Sequence, residues 1–229
     1  WLTQQDDEKE LFVRFENDAV RAVFSQRYTK IDNFDVLQRL DQLGFGPQTE
    51  VHAQIDPAFM SLSLPDESKS FLVKRGDAIT PGLTISNSEI GLSSLKIEKF
   101  FLRLLCSNGL IGKASVASSY RHVSQRVLEE LPMILRNVSE EASVQALQFK
   151  FSLESPVQSV QETFNTFNQK FLLDEQQKTA LDWAWDFEGK PENNTLFEII
   201  NCYTKASQFS DLPAQSAYKM QKIGGEILS

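Results

Sequence analysis

The sequence predicts an α+β fold, a mostly antiparallel sheet in the N-terminal half and helices in the C-terminal half. Three observations carry this. Short apolar runs with strand-like spacing fill the first hundred residues, the apolar period changes to threes and fours near Gly112, and the two kinds of segment are segregated rather than alternating.

The elements follow in order. Leu11-Phe-Val-Arg-Phe15 and Ala19-Val-Arg-Ala-Val-Phe24 flank Glu16-Asn17-Asp18, a hairpin signal. A helix is expected from about Phe34 to Leu43, capped by Asp32 or Asn33 and stopped by Gly44. Val51 to Ile55, Phe59 to Leu64, Phe71 to Lys74, Leu83 to Ser86 and Ser93 to Ile97 are the further strand candidates, with a short loop around Asp66 to Ser70. Lys96 to Gly109 reads as an amphipathic element ending at the Asn108-Gly109 turn. In it Phe100, Phe101, Leu104 and Leu105 pack, and Lys96, Lys99 and Arg103 lie on or near the opposite face.

Beyond residue 113, Val116, Tyr120, Val123, Val127, Leu131 and Ile134 mark one long helix that Pro132 kinks or ends. Ser155-Pro156-Val157-Gln158 is read as a capping box that introduces the stripe Val157, Val160, Phe164, Phe167 and Phe171. A third helix is expected from Glu175 to Phe187, stopping at Gly189. A fourth follows the Thr195-Leu-Phe-Glu198 box with Leu196, Ile200 and Tyr203 inward. The chain is treated as a single α+β domain, 1–229, with a sheet-rich part (1–112) and a helical part (113–229) able to stand as a lobe.

Composition narrows the function. With 229 residues, 41% hydrophobic, 24% charged and 17 phenylalanines, the chain can bury a substantial core. A net charge of −8 opposes general coating of a phosphate backbone yet permits a locally basic groove. The two cysteines, Cys106 and Cys202, are too few for a disulfide framework, which points to a reducing, cytoplasmic compartment. No apolar run approaches the roughly 20 residues that cross a bilayer, and no leader pattern opens the chain, so no membrane partner is expected. Starting at Trp1, the chain is expected to be a partial or trimmed one.

No phosphate loop, dinucleotide fingerprint or nucleophile elbow is present, and two histidines, His52 and His122, do not make a multi-histidine zinc site. No cofactor or metal is assigned; a Mg²⁺ site built from Glu89 and a remote Asp77 is the metal alternative. Cys106 reads as a quiet thiol in apolar sequence. Asn87-Ser88-Glu89, flanked by Gly82 and Gly91, comes where a strand emerges into a loop and offers donor, acceptor, hydroxyl and carboxylate; alternatively Asn87 and Ser88 merely close a turn. With Arg103, Asn108, Arg121 and His122 these make the candidate ligand site. Arg14, Arg21, Arg27 and Lys30, with Tyr28 beside Arg27, make a local basic patch suited to single-stranded nucleic acid, joining guanidinium groups to a stacking face.

Several of these stretches resemble a domain family of unknown function found in phage- and plasmid-like proteins. They are Arg21-Ala-Val-Phe-Ser-Gln-Arg27-Tyr28-Thr-Lys-Ile-Asp32-Asn33, Asp77 with Pro81-Gly82-Leu-Thr-Ile-Ser-Asn87-Ser88-Glu89-Ile-Gly91, Arg103-Leu-Leu-Cys106-Ser-Asn108-Gly109, Arg121-His122, and Asn194 to Thr204. The resemblance spans about residues 11–225. It implies mobile-element kinship and a role in DNA metabolism, and it assigns no activity to any residue. Lys205 to Asp211 departs from the family's usual more basic continuation. Two classes of function follow: a non-enzymatic intracellular module that binds nucleic acid or a protein partner, or a metal-assisted hydrolase or nucleotide-handling enzyme that uses Glu89 with His122.

Overall fold

A computed structural model describes residues 11–103, 108–111, 118–120, 142–188 and 194–229. Strands β1 (Leu11–Glu16) and β2 (Ala19–Ser25) form an antiparallel hairpin apart from the main sheet. Its turn residues Asn17 and Asp18 have φ of 50° and 63°, the left-handed pair that a tight two-residue hairpin needs and that Asn and Asp tolerate. Helix α1 (Asn33–Gln42) starts at Asp32, whose backbone N–H donates to the Asp35 carboxylate, and Gly44 follows it at φ 94°.

The main sheet is antiparallel throughout. Strands β3 (His52–Ile55), β4 (Met60–Pro65), β6 (Asp77–Asn87), β7 (Leu95–Arg103) and β8 (Asn108–Ile111) neighbour one another in that order. Strand β5 (Phe71–Lys74) extends β4's row along β6, and β9 (Ser118–Tyr120) extends β8's row along β7. The segment Asp66 to Ser70 is a single 3₁₀ turn.

Strand β6 begins six residues before the predicted run and passes through Pro81 and Gly82. Pro81 is tolerated in a central strand because its carbonyl, and hence its missing N–H, faces the junction between β4 and β5, where Asp66 N donates to it at 2.7 Å. Gly82 is there for closeness. A Cβ would collide with the carbonyl oxygen of Leu64 on β4, so its role is packing rather than freedom of a following loop.

Lys96 to Arg103 is strand, and its two faces do not divide as expected of the amphipathic element. Alternation puts Ile97, Lys99, Phe101 and Arg103 on one face and Lys96, Glu98, Phe100 and Leu102 on the other; Phe100 and Phe101 are both buried because helices cover both faces. On the first face, α1 seals Leu62, Leu64, Leu83, Ile85, Leu95 and Ile97.

Helices α2 (Ala142–Glu154), α3 (Val160–Lys170), α4 (Glu175–Glu188), α5 (Leu196–Ala206) and α6 (Ala214–Leu228) form the C-terminal part. Phe149 of α2 and Phe197 and Ile200 of α5 pack on Ile79, Phe101 and Leu110, while α6 sets Ala214 and Tyr218 against Phe59, Phe100 and Leu102 on the opposite face. A third cluster, including Phe164, Leu181, Tyr203 and Met220, holds the helices to one another.

Three helical expectations change. The cap of α3 is Ser159, which accepts from Glu162 N at 3.3 Å, whereas Ser155 Oγ donates back to Phe151 O and Pro156 bridges to Thr195. Helices α2 and α6 were not foreseen. Ser118–Tyr120 is strand rather than part of a long helix, because edge pairing to Leu95–Ile97 satisfies its backbone; the rest of that predicted helix, with Cys106 and Gly189, lies outside the described residues.

Candidate functional site

Where β6 ends, its last residues meet the hairpin and the start of α1. Asn87 is fully buried and donates from Nδ2 to Ile31 O at 3.0 Å and Asn33 Oδ1 at 2.9 Å. Ser88 Oγ donates to Ala58 O at 2.8 Å and accepts from Leu92 N at 3.1 Å, closing the turn into β7. Glu89 accepts the Asn33 N–H at 2.7 Å and an Arg14 guanidinium N–H, placing its charge at the N-terminus of α1, where the helix dipole favours it.

Arg14 also reaches Asp32 at 3.0 Å. Gly91, at φ 78°, lies so close to Phe24 that a Cβ would approach the ring to 2.8 Å, and Tyr28 stacks on Phe24 with centroids 3.8 Å apart and planes 9° from parallel. Lys30 Nζ sits 4.7 Å over the Phe12 ring. These side chains enclose a cleft of about 290 Å³ lined by Phe12, Arg14, Phe24, Tyr28, Lys30 and Glu89. Burial pushes the Tyr28 hydroxyl above its ordinary range, Asp32 and Glu89 add to the rise, and Arg14 opposes it, so the phenol remains an O–H donor at neutral pH.

The basic patch is therefore partly neutralised. Arg14 is spent on two carboxylates and Arg21 pairs with Glu16 at 2.9 Å, leaving exposed Arg27 and Lys30 as the cations beside Tyr28.

Arg103 lies at the other end of the β6–β7 pair. The eleven residues of β6 separate Asp77 from Asn87 by about 33 Å of strand. Arg103 is buried against Asp77 through Nε at 2.9 Å and Nη2 at 2.8 Å, reaches Glu188 at 3.4 Å, and lies 5.0 Å from the Phe197 ring centroid. Its chemistry joins the sheet to α4 and α5. Asn108 opens β8 opposite Arg103, while Arg121 and His122 lie outside the described residues. Residues 87–89 and Arg103 thus occupy separate places.

The Glu89–Asp77 metal alternative is corrected by the same distance, each carboxylate being held by its own arginine. Among the described residues no three His, Cys, Asp or Glu side chains cluster as a metal site. No helix among them is long and apolar enough to cross a membrane.

The sequence reading did not name Phe12 and Phe24 as cleft walls. Hairpin alternation carried that signal, since Phe12, Arg14 and Phe24 fall on one face once Phe12 is paired with Phe24.

What these elements define is a sheet clamped between helices, with a polar and aromatic cleft at one end. The chain belongs to the family described as Domain of unknown function (DUF932), which matches residues 20–205. No curated protein and no solved structure matches it.

Proposed function

We propose that this chain is a non-enzymatic binding module of the phage/plasmid type, one α+β unit acting inside the cell in DNA metabolism, and that the hairpin cleft contacts single-stranded nucleic acid. The observation that supports this is the convergence of Phe12, Tyr28, Lys30 and Glu89, from separate segments, on one cleft with two aromatic rings already stacked at its wall. An extruded base can join such a stack, Glu89 and Tyr28 offer it polar edges, and Lys30 on the cleft wall with exposed Arg27 next to Tyr28 in the chain would meet its phosphates.

A protein partner is the second reading, favoured by the hairpin's outer face, where Leu11, Val13, Phe15, Val20 and Val23 are all exposed. The hydrolase alternative is disfavoured at Glu89, which is occupied at the α1 terminus by Asn33 and Arg14.

Titration of single- and double-stranded oligonucleotides at several salt concentrations tests the first reading. Tyr28→Ala is expected to weaken single-strand binding by about 1–3 kcal/mol. Joint replacement of Arg27 and Lys30 by Ala is expected to flatten the salt slope by about 1.4, two phosphate contacts at about 0.7 each. Arg21→Ala leaves it unchanged, because Glu16 already offsets that charge. Absence of binding at low salt, or equal affinity for duplex, refutes the nucleic-acid reading.

A further inference from the structure

A second cavity, sharing no residue with the hairpin cleft, opens on the face of the sheet opposite α1. It holds about 410 Å³ between β3, β4, β7 and β8 on one side and the α5–α6 corner on the other. The lining carries no Lys, Arg, Asp or Glu: Gln54, Ser61, Ser63, Ser207, Gln208, Gln221 and His52 supply the polar side chains, and Phe100, Leu102 and Gly109 an apolar wall. A side chain at Gly109 would invade that wall, since a Cβ there would come 2.6 Å from the Phe100 ring and 3.3 Å from Gln221 Nε2.

Two lining atoms are buried with no hydrogen-bond partner among the described residues, Gln54 Oε1 and Gln221 Oε1, whereas His52 Nε2 faces Glu50 Oε1 at 3.5 Å. Buried polar groups are ordinarily satisfied, so two amide oxygens around one cavity call for a donor.

The surrounding bonds fix which glutamine atoms are unsatisfied. Gln54 Nε2 donates to the Ser207 carbonyl at 3.2 Å, and a carbonyl can only accept. Ser207 Oγ gives its proton to Thr204 O at 2.7 Å and therefore accepts from Gln221 Nε2 at 3.4 Å. Both amides are thereby oriented with the oxygen as the unsatisfied atom. Gln221 is only 8% exposed, so its acceptor is held inside the fold rather than at the outer surface.

We propose that this cavity binds a neutral nitrogen heterocycle, a nucleobase or free nucleoside, which presents N–H donors to the Gln54 and Gln221 carbonyls and lays its ring against Phe100 and Leu102. The uncharged lining selects against the phosphates of a nucleotide, whose charge would be buried without a cation. His52 Nε2 and the Ser61 and Ser63 hydroxyls complete a rim able to donate as well as accept, as a base edge or ribose requires.

Calorimetric titration of the chain with adenosine, cytidine and guanosine tests this, with ribose as the control and circular dichroism confirming that each variant is folded. At least one nucleoside is expected to bind saturably at one site, with no comparable binding of ribose. Gln54→Leu, on the edge strand, and Gln221→Leu each remove one acceptor, and the expected weakening is about tenfold for at least one folded variant. Tyr28→Ala, in the hairpin cleft, is expected to leave nucleoside affinity unchanged. The proposal is overturned if none of the three nucleosides binds saturably, if ribose binds as well as they do, if neither glutamine substitution weakens binding, or if Tyr28→Ala abolishes it. Oligonucleotide binding at the hairpin is read separately through Tyr28, so the two sites fail or succeed independently.

Discussion

Replacing Arg103 by Met removes a guanidinium that joins β6, β7, α4 and α5. The Asp77 side chain is 1% exposed and that of Arg103 9%, so the substitution leaves a carboxylate in the interior with its bidentate partner gone. Lys74, at 3.8 Å and half exposed, compensates poorly. Losing one member of a buried pair costs about 3–5 kcal/mol. At about 2–4 °C per kcal/mol for a chain of this size, the melting midpoint should fall by about 6–20 °C. Thermal unfolding followed by the fluorescence of Trp183 and Trp185 on α4 measures the midpoint and urea unfolding the free-energy loss, and raised salt should change the loss little because the pair is shielded from solvent. The double replacement Asp77→Leu with Arg103→Met should recover part of the loss, Glu188 still facing the site, because two apolar side chains leave no stranded charge at Asp77. A loss below about 1 kcal/mol for Arg103→Met, or a double variant no more stable than the single one, would refute the assignment of Arg103 as the buried clamp.

Other outcomes follow from single side chains. Gly82→Ala should destabilise the fold by about 3 kcal/mol or more, measured by urea unfolding, because its Cβ meets backbone of β4 that cannot move aside. In a Cys106→Ser background, Cys202 should stay unmodified by a thiol reagent until the protein unfolds; burial pushes its thiol far above the ordinary range, and Glu188 and Glu198 add to it. Lys99 is buried in β7, and burial lowers its pKa from the ordinary 10.5. The unfolded chain then binds more protons between the folded value and 10.5, so stability rises with pH across that window. Lys99→Met should abolish that alkaline rise, checked by urea midpoints through the alkaline range.

Local chemistry made part of this legible. The Asn17-Asp18 turn, the Asp32 cap and the Gly44 stop are decided within a few residues, and the hairpin and α1 lie where the sequence predicts them. The later β6–β7 region was misread because its signals are tertiary. Pro81 is harmless only because β4 and β5 leave a gap beside it, and Phe100 next to Phe101 breaks alternation only if one face of the sheet faces solvent. Asn87, Ser88 and Glu89 lie at a strand end as their sequence suggests, but the anchoring of α1 by Asn87 and Glu89 depends on Ile31, Asn33 and Arg14, which are distant in the chain.

The sequence by itself determined the α+β class, the antiparallel sheet and the chemical character of its segments, since periodicity, turn residues and charge act over a few positions. Only the tertiary structure decided which of those side chains are available. It buried Arg103 against Asp77, neutralised Arg14 and Arg21, and left Gln54 and Gln221 with unsatisfied oxygens in a cavity no motif announces. The reason is physical: a charged or polar group's availability is set by the partners that folding brings within about 3 Å, and two such partners here, Gln54 and Ser207, stand 153 positions apart in the chain.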